Sequence, residues 1–322
     1  MKQITAGSHR SENQYKFLDG DGVVFMLAGR GHAPTLCTAI FQLRHRLGFN
    51  EQIAIVTTDE EARWFVQNML TDDRFDIEHV HHPMKKAGKG KGGHYANKTR
   101  IFDATPFRNR TVFLDADTLV MKIDTEGEQH LAKMLPPNQY TAEVMLTQFA
   151  DWVTTGQIVS KRIKRWEGVP GAELLPAMLA NPYPAINTGV FGFSKLSKEF
   201  FRAWNRLAME RVSFICDEIA CQLMFPNLPH AVRRHEYNAS VIYSTSLSDD
   251  DVVVWHGHGG KFAKSPKGRA VFMPIFLECI RSNFGEIQSW LGRVNSKVCK
   301  VIRNGKYQTE TENWNQQFAD IK

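Results

Sequence analysis

The 322-residue chain has no apolar run long enough to cross a bilayer. Its longest apolar stretches, Val23–Ala28 and Val271–Leu277, fall far short of the ~20 residues a spanning helix needs. The opening segment Met1–Lys16 is polar and has no apolar leader, so a cytoplasmic protein is expected. Five cysteines, Cys37, Cys216, Cys221, Cys279 and Cys299, include no CxxC pair. That excludes a zinc ribbon or a thioredoxin-type site and leaves reduced, packed thiols. There is no internal repeat, which excludes solenoids and propellers. Neither sign of charge dominates: 23% of residues are charged and the net charge is +6. The slight basic excess suits an anionic ligand. What the chain does have is 43% hydrophobic residues, enough for a substantial core.

Basic residues concentrate in two places. Lys85, Lys86, Lys89 and Lys91 fall in the Gly-punctuated stretch 84–93, which reads as an irregular loop, either solvated or gripping an anion. A second group, Lys161, Arg162, Lys164 and Arg165, falls in 154–181, with Trp166 inside it and Trp152 just before. This stretch reads as an insertion, either an amphipathic surface helix or a segment that binds an acceptor.

The N-terminal third alternates short apolar runs with helical patterns. Val23–Leu27, Gln52–Thr57, Phe75–Val80 and Thr111–Leu114 read as strands. Between them, Pro34–Leu47 and Glu60–Leu70 read as helices, the second capped by Asp59, and Asn97–Phe102 as a third. This order predicts an α/β fold with a mostly parallel, Rossmann-like central sheet flanked by helices. A C-terminal helix is expected over Ile275–Leu291.

The sharpest local signal is Phe113-Leu-Asp115-Ala116-Asp117-Thr-Leu, directly after a predicted buried strand. Alternate residues of an extended chain face the same way, so Asp115 and Asp117 project together. The carboxyl end of a strand is where open α/β sheets bind ligands. Two carboxylates there suit a hard divalent cation, which in turn neutralises a diphosphate. A calcium loop is excluded, because Val120 stands where its turn requires glycine and a strand precedes it.

Three further segments follow in order: Tyr183-Pro-Ala-Ile-Asn187-Thr-Gly189-Val, Cys216-Asp217-Glu218-Ile-Ala220, and Val253-Val-Trp255-His256-Gly-His258-Gly259-Gly-Lys261. Together with Leu114–Val120 they resemble the glycosyltransferase family 8 proteins of GT-A fold, the glycogenin and galactinol-synthase relatives. The resemblance runs from about residue 23 to residue 264.

That resemblance implies roles for particular residues. Asp115, Asp117 and His256 match metal ligands, with His258 the competitor for the histidine's place. Lys98, on the helix before the paired acids, matches a lysine that reaches the donor, and Ala116 lies between the two acids. Lys261, or Lys264, matches a lysine on the diphosphate, with Gly259 beside it. Asn187 and Gly189 match a turn lining the sugar site, and Asp217 an acid that approaches the reacting sugar. Glu218 stands where the family has Gln, and Asp151 matches an earlier sugar-contacting acid. Ala28, Gly29 and Arg30 occupy the nucleotide loop, where the family's usual Thr-Asn-Asp-x-Tyr is replaced.

The implied protein is a metal-dependent, retaining glycosyltransferase using Mn2+ or Mg2+ and a nucleotide-sugar donor, UDP-sugar by the family's habit. A catalytic domain is expected over 1–265, with the donor site in 23–120 and the sugar and acceptor side in 140–265. Residues 266–322 form a helical extension. The acceptor stays open among a glycan, a polyol and modified DNA, with loop 84–93 and insertion 154–181 as the segments through which nucleic acid would bind. Two rival classes are a sugar-phosphate nucleotidyltransferase and a non-catalytic nucleic-acid-binding protein.

Overall fold

A computed structural model describes residues 17–29, 31–70, 75–84, 93–148, 168, 184–212, 215–258 and 265–284. A seven-stranded sheet forms the centre. Its strands are β1 (Gly22–Leu27), β2 (Ile53–Thr57), β3 (Glu78–His81), β4 (Arg110–Asp115), β6 (Val144–Gln148), β7 (Ile186–Ser194) and β8 (His230–Arg233). The order is β3-β2-β1-β4-β7-β6-β8. All pairings are parallel except those of β7, which runs antiparallel to both β4 and β6. A small second sheet holds β5 (Thr118–Val120), β9 (Ala239–Ser240) and β10 (Val254–His256), ordered β5-β10-β9.

The strands are apolar on both faces because helices cover both faces. Successive side chains of β1 and β4 divide between two cores. Val23, Phe25, Leu27, Val112 and Leu114 join one; Val24 and Phe113 join the other. The first core takes in α1 (Ala33–Phe41) and α7 (Pro266–Phe284), through Leu36, Ile40, Phe272 and Phe276. The second takes in α3 (Gly93–Lys98), α4 (Ile101–Ala104), α5 (Lys198–Glu210) and α6 (Cys216–Met224), where Phe191, Phe193, Phe201 and Trp204 pack ring against ring. Strand β7 passes directly beneath the turn at Ala132–Met134. A Cβ on Gly192 would lie 1.6 Å from the Met134 carbonyl oxygen, so only glycine fits there.

The predicted βαβαβ order and the mostly parallel sheet are present. Asp59 does cap α2 (Glu60–Met69), accepting from the Ala62 amide at 2.9 Å. Several boundaries differ from expectation. The helix expected over Asn97–Phe102 is two short pieces, because Thr99 Oγ1 donates to the Ala96 carbonyl and breaks the ladder between them. The strand expected from Phe75 begins at Glu78, since Asp76 has φ 41 and the Arg44 guanidinium ties the Phe75 and Asp76 carbonyls. The helix expected over Pro34–Leu47 changes to π-helix at Gln42–Arg46. The C-terminal helix starts at Pro266 rather than Ile275. Ser265 Oγ accepts from the Gly268 amide, and Pro266 occupies the first turn, where a missing N–H costs nothing. Residues 285–291 of that expected helix lie outside the described residues, as do the basic loop residues 85–92 and the insertion 154–181 except Gly168. Among the described residues no helix is long and apolar enough to cross a membrane.

Candidate metal and donor site

The site lies where the carboxyl ends of the parallel strands come level. Met26 of β1 pairs with Asp115 of β4, and Leu27 of β1 pairs with Thr57 of β2. Ala28 and Gly29 therefore leave the sheet beside Asp115. The Gly29 amide donates to Asp59 Oδ2 at 2.7 Å, so its hydrogen is already engaged. Asp115 ends β4, and Asp117 sits in the turn before β5. Strand β10 is antiparallel to β5 with His256 opposite Thr118, and the Gly257 amide donates to the Asp117 carbonyl at 2.8 Å. This pairing brings His256 to the two acids despite the long stretch of chain between them.

Ligand-capable atoms of Asp115, Asp117 and His256 all lie within 4.8 Å of one another, and this trio is the only such cluster of three or more among the described residues. His256 Nε2 is 3.3 Å from Asp117 Oδ1 and 3.7 Å from Asp115 Oδ2. Its other ring nitrogen, Nδ1, lies 2.9 Å from Asn238 Oδ1. Two carboxylates and an imidazole whose far nitrogen is already bonded form the donor set of a divalent-cation site, and the residues present fit such an ion. His258 has another place. It stacks on His256 with ring centroids 3.7 Å apart, and its Nε2 faces Asn187 Nδ2 at 3.3 Å.

A second set of charges adjoins the first. Lys98 ends α3, and its ammonium lies 2.8 Å from Asp115 Oδ2 and 3.1 Å from Asp217 Oδ2. Burial alone would lower its pKa, but the two carboxylates more than reverse this and hold it above the ordinary lysine range. Burial likewise pushes the Asp115 carboxyl above the usual carboxylate range, against the pull of Lys98 and His256. Asp217, in the first turn of α6, is fully buried. Its Oδ2 accepts from Thr188 Oγ1 at 2.7 Å, while Oδ1 has no hydrogen-bond partner among the described residues. Tyr95 of α3 faces the same carboxylates. Burial first, then the charge of Asp217, pushes its phenol up to about 12, so it stays protonated.

Asn187 and Gly189, expected in a turn, sit within strand β7. The turn-like feature is an irregularity in the β6–β7 pairing, where Met145 faces Gly192 but Thr147 faces Asn187. Asn187 Nδ2 donates to Glu218 Oε1 at 2.6 Å, so Glu218 is joined to Asn187. The structure thus gathers Lys98, Asp115, Asp117, Asn187, Gly189, Asp217, Glu218 and His256 into one region. Arg30, Asp151, Gly259, Lys261 and Lys264 lie outside the described residues. Sequence reasoning missed Tyr95, Thr147, Thr188 and Asn238. Each is an ordinary polar residue in an unremarkable local context, and only the three-dimensional arrangement singles it out.

The fold is that of the GT-A class. No protein-family model matches the sequence, and no curated protein matches it either. Among solved structures it is similar to the galactosyltransferase LgtC in complex with donor and acceptor sugar analogues, at 15% identity and TM-score 0.54, over 84% of this chain and 99% of that one. It is also similar to the bifunctional glycosyltransferase WbbM, at 16% identity and TM-score 0.55, over 84% of this chain and 51% of that one. A third is the glycosyltransferase GlyE of Streptococcus pneumoniae TIGR4, at 14% identity and TM-score 0.50, over 80% and 60% of the two chains. Identities this low establish the shared fold and nothing finer.

Proposed function

We propose that the protein is a metal-dependent glycosyltransferase that moves a sugar from a nucleotide-sugar donor, a UDP-sugar by its resemblance to family 8, to an acceptor hydroxyl with retention of configuration. The observation that carries this reading is the Asp115–Asp117–His256 trio, set at the ligand-binding edge of a GT-A sheet beside the Lys98–Asp217 pair.

In this reading Asp115, Asp117 and His256 hold Mn2+ or Mg2+. Bound there, such an ion would supply positive charge to offset that of the donor's diphosphate. The remaining work falls to the chain's own groups. Breaking the bond between the anomeric carbon and the diphosphate moves an electron pair onto the diphosphate and leaves an electron-poor sugar. The Lys98 ammonium, fixed between two carboxylates, adds positive potential where the negative charge grows. The resemblance to family 8 assigns Arg30, Gly259 and Lys261 to the diphosphate, and Ala28 and Gly29 to the nucleobase. Asp217 Oδ1, buried with no hydrogen-bond partner among the described residues, is suited to a sugar hydroxyl or to the cationic sugar itself. Glu218 and Asn187, bonded to each other, border the same place.

The test is a thermal-shift screen of UDP-, GDP- and CDP-sugars with and without manganese. One nucleotide sugar should raise the melting temperature only when manganese is present. No stabilisation by any donor in the presence of metal would overturn the reading.

A further inference from the structure

The His256 imidazole stands at the end of a chain of hydrogen bonds in which every donor and acceptor is determined. The chain starts at a group that cannot turn round, the Gly189 amide, which donates to Asn187 Oδ1 at 2.8 Å. A backbone N–H only donates, so the Asn187 atom it meets must be the carbonyl oxygen. That orients the whole Asn187 amide. The same oxygen lies 2.8 Å from Asn238, so the Asn238 atom there must be the NH2 nitrogen.

A second contact agrees. Asn238 Nδ2 lies 2.8 Å from Thr147 Oγ1, whose own hydrogen goes to a carbonyl, that of Val190 at 2.7 Å or that of Asn187 at 3.2 Å. The hydroxyl has spent its proton and accepts from Asn238. With both amide hydrogens of Asn238 placed, its oxygen is the atom that faces His256 Nδ1 at 2.9 Å. An oxygen without a proton requires that Nδ1 carry one. The ring's other nitrogen, Nε2, then faces the space shared with Asp115 and Asp117, where it is the atom left to bind a cation. Asn238 and Thr147 are fully buried, and Asn187 and His256 nearly so, so water does not compete for these bonds.

We propose that Asn238 is a positioning residue, which holds the proton of His256 on Nδ1 and thereby presents Nε2 as a ready cation ligand. The same amide joins the cation trio to the sugar side, because Asn187 also donates to Glu218 Oε1 at 2.6 Å. This inference rests on the metal reading of the Asp115–Asp117–His256 trio. It adds a residue that touches neither cation nor donor, and it gives a reason for the Asn187–Gly189 segment beyond sugar contact. In free histidine the Nε2–H form is the commoner neutral tautomer, so the opposite form has to be imposed.

The experiment uses the full chain labelled with 15N-histidine. The His256 signals are identified by their loss in His256→Gln, and manganese affinity is measured by calorimetry on the metal-free protein. In the unsubstituted protein without metal, His256 Nδ1 should be protonated. An unprotonated Nδ1 overturns the proposal. Asn238→Leu, of similar size, should populate the form with Nδ1 unprotonated and weaken manganese binding by roughly 10- to 100-fold. Unchanged affinity in that variant overturns the proposal. Asn238→Asp keeps an acceptor for Nδ1 while losing the two donated bonds. It should be less stable yet keep Nδ1 protonated, which covers the case in which the leucine variant fails to fold. Failure of the functional reading looks different: Nδ1 is protonated as expected but the unsubstituted chain binds no manganese, which supports Asn238's control of the ring and sinks the metal-dependent activity.

Discussion

Gly189 leaves the space that the His256 ring fills: a Cβ built on Gly189 would lie 2.1 Å from His256 Cε1 and 2.5 Å from Nδ1. The strand that carries Asn187 and the strand that carries His256 approach this closely only because one has no side chain at the contact.

Gly189→Ala should therefore move the His256 ring off its place between Asn238 and the two acids. The methyl also meets Asn187 Oδ1, so both ends of that hydrogen-bond chain shift. Overpacking of this kind costs ~1–3 kcal/mol, which a core of this size withstands. Manganese affinity should fall by about 10-fold or more while the melting transition stays cooperative. Calorimetric titration of manganese into the variant checks this, and an affinity equal to that of the unsubstituted protein would show that His256 is not a ligand.

Lys98→Met should be costly for a different reason. The buried ammonium compensates two carboxylates, that of the fully buried Asp217 and that of the partly exposed Asp115. Removing one partner of a buried ionic group leaves uncompensated charge, a loss of ~3–5 kcal/mol. Chemical denaturation of the metal-free protein reads this directly. A loss under about 1 kcal/mol would mean that the three charges are better hydrated than their burial indicates.

These two residues differ in how readable they were. Lys98 is marked only by its match to the lysine that family 8 carries ahead of the paired acids, whereas Asp115 and Asp117 are marked by a two-residue spacing that follows from strand geometry alone. Such signals are local, and local signals survive in sequence. For Asn187 and Gly189 the resemblance implies a turn, whereas the structure has a strand that is irregular in its pairing with β6. Asn238 was not legible at all. It matters through contacts with Thr147, Asn187 and His256, which lie far from it along the chain, and nothing within a few residues marks it. The short helices around Lys98 were misread for a related reason: the break depends on one threonine side chain choosing a backbone carbonyl.

At the far side of the same sheet edge, His79 should make the fold sensitive to acid. Burial first, then the charges of His81 and Arg63, lower its pKa from 6.5 to about 4. Because the folded value is depressed, the unfolded chain takes up the proton first. The stability contribution is complete above about 6.5 and is lost as pH falls toward about 4. His79 is only half-buried, so the amount after solvent screening is ~1–2 kcal/mol. His79→Gln keeps a partner for Thr57 Oγ1, which lies 3.0 Å from the ring. Its melting temperature should decline less steeply than that of the unsubstituted protein over this range. Parallel curves would show that the imidazole titrates elsewhere.

The paired replacement Asp115→Ala with Asp117→Ala bears on the whole functional reading. Lys98 keeps Asp217 as a partner at 3.1 Å, and the β5–β10 pairing that seats His256 uses backbone groups only, so the fold should persist. What goes is the charge that would hold a divalent cation. In the unsubstituted protein, a donor present at about 100 times its dissociation constant stabilises by ~2.7 kcal/mol. That increment requires manganese if the cation bridges protein and diphosphate, and it should vanish in the double variant at every manganese concentration. Donor hydrolysis should vanish with it. A double variant that still binds UDP in a manganese-dependent way, or still consumes donor, would place the cation elsewhere in the molecule.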